Sequence, residues 1–168
     1  NDDYKSNDGM LTAIWGPGMW HFLHSMSFNY PVSPTQEDKE NYRDFMLSLK
    51  NVLPCGKCRK NLNSNYKKLP ITMNVMMSRE TFSKYVYDLH EMINGMLGKK
   101  SGLSYEEIRE RYEHFRSRCN GKKQNIKEKG CVTPVYGEKS KCILKIIPAK
   151  EKCDTLQIDE RCNKKLMK

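Results

Sequence analysis

Residues Ser78–Gly98 read SRETFSKYVYDLHEMINGMLG. Phe82, Tyr85, Val86, Leu89, Ile93, Met96 and Leu97 recur at steps of mostly three or four, the spacing that puts side chains on one helix face. Ser78 supplies a hydroxyl for the free N–H groups of a first turn, and Gly98 tolerates the left-handed backbone that ends a helix. The same period recurs on both sides. Upstream, Thr35 with Asp38 three residues on starts a helix whose apolar face is Tyr42, Phe45, Met46 and Leu49. Earlier still, Gly16-Pro17 predicts a helix start, since proline at the first helical position forfeits no hydrogen bond. That helix carries Trp20, Leu23, His24 and Phe28. Between the two flanks, Pro54 marks a break, and Cys55-Gly56-Lys57-Cys58 opens a helix that ends before Pro70. Downstream, Ser104 and Glu107 form a capping box, with Leu103 and Ile108 placed as a hydrophobic staple. Ile108, Tyr112 and Phe115 share one side of this last helix. Five helices with short links, and no alternating strand pattern, predict an all-α bundle over 14–118. A loose tail is expected at 1–13.

Past Cys119 the composition changes. Residues 119–168 hold 13 basic and six acidic side chains, a net of +7 out of the chain's +10. The segment is a cysteine-rich, basic extension, with weak strand signals at 132–136 and 143–147. It is too poor in apolar residues to fold well without disulfides or docking. A basic surface attracts acidic partners, but no aromatics interleave with these lysines, so nucleic-acid binding is disfavoured. No run approaches the roughly 18 apolar residues of a membrane span. The first ten residues are polar and acidic, unlike a signal peptide, and the chain starts without Met, so the compartment is not legible from this end.

Seven cysteines point to disulfides, metal ligands or redox chemistry. Cys55 and Cys58 sit where a helix begins, so unpaired N–H groups and the helix dipole favour a thiolate there. Lys57, Arg59 and Lys60 add positive charge. The alternative is a zinc-stabilised, non-enzymatic helical binding module, with His21 and His24 completing a Cys2His2 set. A thioredoxin-type protein is disfavoured, because no βαβ pattern surrounds the pair. Trp20 and His24 share a helix face, as do His90 and Asn94 with Ile93 beside them. The two pairs are candidates to line a slot for a flat polar ring. Of the remaining cysteines, Cys119, Cys131, Cys142, Cys153 and Cys162, the pairs Cys131–Cys142 and Cys153–Cys162 are first guesses, though connectivity is not deducible from spacing.

Four motifs in order carry a more specific signal. Trp15-Gly16-Pro17-Gly18-Met19-Trp20-His21-Phe22-Leu23-His24 resembles the WGxxxWxxLH opening of the Erv/ALR sulfhydryl oxidases, with Tyr30-Pro31 at a suitable distance. Leu53-Pro54-Cys55-Gly56-Lys57-Cys58 resembles that family's YPCxxC. His90-Glu91-Met92-Ile93-Asn94 followed by Leu97-Gly98-Lys99 resembles its HNxVNxxLxK, and Glu110-Arg111-Tyr112 its ERW. The abbreviated pattern is similar to versions carried by large DNA viruses. The resemblance implies a four-helix bundle with a short fifth helix, binding FAD and usually homodimeric. It implies a thiol oxidase that forms disulfides in protein substrates and passes the electrons through FAD to oxygen, yielding hydrogen peroxide. Cys55 would exchange with the incoming thiol and Cys58 would lie next to the flavin. Gly16, Trp20, His24, His90, Ile93, Asn94, Leu97, Lys99 and Tyr112 would bind the cofactor, and no resident metal is implied. A viral member would act in the cytoplasm of the infected cell or in the virion, and any other in an oxidising compartment. This chain departs from the pattern at Leu53, Glu91 and Tyr112, and has Tyr87 and Ser104 where cellular members often carry a disulfide.

Overall fold

The structure is a computed structural model, which describes residues 5–119, 130–154 and 156–162. Its helices are α1 (Thr12–Phe28), α2 (Gln36–Val52), α3 (Gly56–Lys68), α4 (Arg79–Met96) and α5 (Tyr105–Glu113), with single 3-10 turns at Val75–Met77 and Glu160–Cys162. Two strands, β1 (Ser117–Arg118) and β2 (Thr133–Pro134), pair antiparallel. The chain divides into two compact units, Asn1–Gly102 and Leu103–Lys168. The composition changes near 119, but the chain's contacts group α5 with the C-terminal segment. The reason is local: β1, four residues after α5, pairs with β2, and Val135 N–H donates to the Arg116 carbonyl at 2.8 Å.

Three helix starts agree with the sequence signals. Thr35–Asp38, Ser78–Thr81 and Ser104–Glu107 are full capping boxes, in which each side chain accepts from the other residue's backbone N–H. The start of α1 differs from the expectation. The helix begins at Thr12, and Pro17 lies inside it. An interior proline removes a backbone bond and is unfavourable, yet the turn before it is anchored from outside. Residues 8–10 are not a loose tail: Gly9 bridges antiparallel to Cys55, Met10 N–H donates to the Pro54 carbonyl at 2.7 Å, and Trp15 Nε1 donates to the Met10 carbonyl at 3.1 Å.

In the first unit α1 packs on α4 and α2 on α3. Leu23, Met46, Leu49, Leu62, Tyr66, Phe82, Tyr85, Val86 and Leu89 form one core with Tyr30, Ile71 and Met76 from the connections. Burying a phenol without a partner is unfavourable. Each core tyrosine from this set donates to a carbonyl: Tyr30 to Met76, Tyr66 to Met46 and Tyr85 to Leu69, at 2.9, 2.6 and 2.8 Å. The α4 stripe is buried from Phe82 to Leu89 and then leaves the core, with Met96 50% and Leu97 60% exposed. Phe45 of the predicted α2 face is also partly exposed, edge-on to Phe22 of α1 at 6.1 Å.

In the second unit the disulfide joins Cys119 to Cys131, with their Cα atoms 4.3 Å apart, in place of the expected Cys131–Cys142. The strand expected at 143–147 does not form, and β2 pairs instead with β1. Register Arg118↔Thr133 brings Cys119 and Cys131 to the same end of that ribbon. Cys142, Cys153 and Cys162 are thiols, so the Cys153–Cys162 pairing is absent too. Among the described residues, no helix is long and apolar enough to cross a membrane.

Candidate functional site

Cys55 is the N-cap of α3, in extended backbone, and its sulfur accepts from the Cys58 N–H at 3.1 Å. Cys55 and Cys58 are joined as a disulfide, and both are half-buried. The first turn of α3 holds no acidic residue, so nothing there opposes a thiolate. Arg59 donates to the Leu53 carbonyl, which fixes the turn leading into the pair. The residues at 8–10 run along that turn, and Gly56 N–H donates to the Asp8 carbonyl at 2.8 Å. Gly9 is required there: its φ is +150°, and a Cβ would stand 2.8 Å from the Cys55 Cα. Thr12, the first residue of α1, lies with its Oγ1 3.7 Å from the Cys58 Sγ. Sequence reasoning missed this segment. No periodicity marks it, because its order comes from pairing with residues more than forty positions away.

The α1–α4 contact brings together three of the expected residues. The Trp20 and His90 rings stack, 3.9 Å between centroids and 7° from parallel. His24 Nε2 and His90 Nδ1 are 3.0 Å apart, sharing one hydrogen bond whose direction depends on the tautomers. Burial, reinforced by the neighbouring His90 and His21, pushes His24 down to about 3. Burial also pushes His90 down to about 4, partly offset by Glu91. Both rings are therefore neutral near pH 7. One turn on, Asn94 Nδ2 donates to Glu91 Oε1 at 2.9 Å, so the departure at Glu91 supplies an acceptor for Asn94. Gly16 is buried on α1, Ile93 packs against the core, and Leu97 caps the end of α4. Lys99 N–H closes that end by donating to the Asn94 carbonyl at 2.8 Å. Tyr112 lies on α5, in the other unit, edge-on to Phe115 at 5.7 Å.

Three of the four side chains considered as a zinc set are otherwise engaged, since Cys55 and Cys58 are bonded to each other and His24 to His90. The described residues contain no group of three or more His, Cys, Asp or Glu side chains arranged to hold a metal.

Residues 17–113 match the sequence model of the Erv1 / Alr family. The chain belongs to the Erv1 / Alr family. Among the relatives of this Erv1 / Alr chain is a probable FAD-linked sulfhydryl oxidase of Acanthamoeba polyphaga mimivirus. It is 43% identical over 104 residues, covering 62% of this chain and 72% of that protein. A putative FAD-linked sulfhydryl oxidase of Invertebrate iridescent virus 6 is 30% identical over 90 residues, covering 51% and 81%. The fold is similar to the FAD binding domain of Erv1 from Saccharomyces cerevisiae, with a TM-score of 0.56 at 23% identity, over 61% of this chain and 94% of that one. The family match contains the disulfide, the stacked Trp20–His90 pair and all of α2 to α5.

Proposed function

We propose that this chain is an FAD-dependent thiol oxidase that forms disulfides in protein substrates. The observation that carries the reading is the Cys55–Cys58 disulfide at the start of α3, inside the residues that match the family. A substrate thiolate bonds to Cys55 Sγ, the Cys55–Cys58 bond breaks, and its electron pair stays on Cys58 Sγ as a thiolate. A second substrate thiolate then displaces Cys55, leaving an oxidised substrate and a reduced pair. The helix start and its lack of acids stabilise the thiolate at Cys58.

The residues present fit a flavin. The parallel Trp20 and His90 rings are flat, burial keeps His90 neutral, and Gly16, one turn before Trp20 on α1, adds no side chain. The apolar stripe of α4 emerges beyond Ile93 at Leu97, where a cofactor would cover it. Trp20, His24, His90, Ile93 and Asn94 would hold FAD from α1 and α4, with Gly16, Leu97 and Lys99 as further contacts. The chemistry that FAD supplies there is uptake of two electrons from a dithiol and their delivery to oxygen as hydrogen peroxide. The half-exposed Phe22–Phe45 pair on α1 and α2 supports a homodimer. The viral relatives support reading the chain as a viral protein.

The test is an absorbance spectrum of the purified protein together with oxygen uptake on a small dithiol. A yellow protein that produces peroxide is expected. A colourless protein that loses its fold to a chelator would restore the zinc module.

A further inference from the structure

We propose that Thr12 is a catalytic residue of the disulfide site, its hydroxyl donating a hydrogen bond that stabilises the Cys58 thiolate; this rests on the thiol oxidase reading. Thr12 Oγ1 is 3.7 Å from Cys58 Sγ, within range for a bond to sulfur. A disulfide sulfur carries no proton, so the hydroxyl is the donor. Thr12 is the first residue of α1 and Cys58 the third of α3, so two helix starts meet at this sulfur. Neither first turn contains an acidic residue. The charged residues on the segments that meet there are Asp8 on the 8–10 segment and Lys57, Arg59 and Lys60 at the start of α3; the first turn of α1 has none. The Gly9–Cys55 bridge and the flanking backbone bonds hold the start of α1 against the start of α3, and so place the hydroxyl.

The role appears when the disulfide opens. The attacking thiolate bonds to Cys55 Sγ, the S–S bond breaks, and the pair of electrons departs on Cys58 Sγ. The hydroxyl proton then faces a full negative charge instead of a weak sulfur acceptor, and hydrogen bonds to charged groups are the stronger kind. Thr12 thus favours the leaving group over the intact bond.

The experiment uses the full chain carrying Cys55→Ser, in which Cys58 is the remaining thiol of the pair. Alkylation of Cys58 is followed against pH by peptide-resolved mass spectrometry. Thr12→Val, which keeps the branched shape, is expected to raise the alkylation midpoint by about 0.5–1 pH unit, and Thr12→Ser to restore it. Thr12→Ala replaces the valine variant if that one fails to fold. An unchanged midpoint without the hydroxyl overturns the proposal. So does a rise that serine fails to restore, because the effect would then come from packing. The readout needs no turnover. An unmoved midpoint in the Cys55→Ser chain, with the unsubstituted protein yellow and active, would refute Thr12 alone, whereas a colourless unsubstituted protein would refute the oxidase reading whatever Thr12 does.

Discussion

Two sulfurs and two imidazoles carry most of the chemistry at the scale of single residues. Since exchange needs Cys55 to be attacked and Cys58 to leave, Cys55→Ser and Cys58→Ser should each abolish dithiol-driven oxygen uptake while leaving FAD bound, checked by an oxygen electrode and the flavin spectrum. His90 stacks on Trp20 and bonds to His24, both at the expected cofactor face. His90→Ala should lower flavin content and the melting temperature together, at a loss of about 1–3 kcal/mol from the orphaned His24 bond and the lost stack. Unchanged flavin and melting would leave His90 as a core residue only. The same pair sets a pH dependence. Unfolded imidazoles take up protons near the ordinary 6.5, whereas the folded ones resist until about 4 for His90 and about 3 for His24. Their contribution is therefore fully present above 6.5 and drains away as pH falls toward 4 and below. Denaturant midpoints should drop across that window, and His24→Asn with His90→Asn should flatten the slope.

At the scale of elements, the start of α1 matters most. A side chain at Gly9 must push the 8–10 segment off Cys55, because the atom it meets at 2.8 Å is backbone Cα. Gly9→Val should raise the hydrogen-exchange rate of the Met10 and Gly56 amides, which donate across this pairing. The capping boxes of α2 and α5 were legible because each is a contact between residues three apart, whereas at α4 only the start at Ser78 was read and its partner Thr81 was not. The frame-setting role of Gly9 was not, since it depends on where Pro54–Gly56 arrive in space. The ribbon of β1 and β2 makes its own statement about the cysteines. A non-reducing peptide map should return Cys119 linked to Cys131, with Cys142, Cys153 and Cys162 open to alkylation.

For the whole molecule, the question is whether the second unit takes part in electron transfer. Truncation after Arg118 removes β2 and the Cys119–Cys131 disulfide and leaves all residues of the family match. If the extension is a stapled appendage, turnover of a small dithiol and of a reduced protein should both persist. Selective loss of activity on the protein substrate would instead make the extension a relay. The sequence by itself determined the all-α class, the order of the helices, the starts of α2, α4 and α5 and the Cys55–Cys58 pair. Periodicity, caps and motif spacing are local, and neighbours along the chain are enough to enforce them. Only the tertiary structure decided that α1 begins at Thr12 with Pro17 inside it, and that Thr12 stands at Cys58. It alone decided that His24 bonds to His90 and that Cys131 pairs with Cys119. Each of these joins residues from separate elements, and their meeting is set by packing and strand register, which no local pattern encodes.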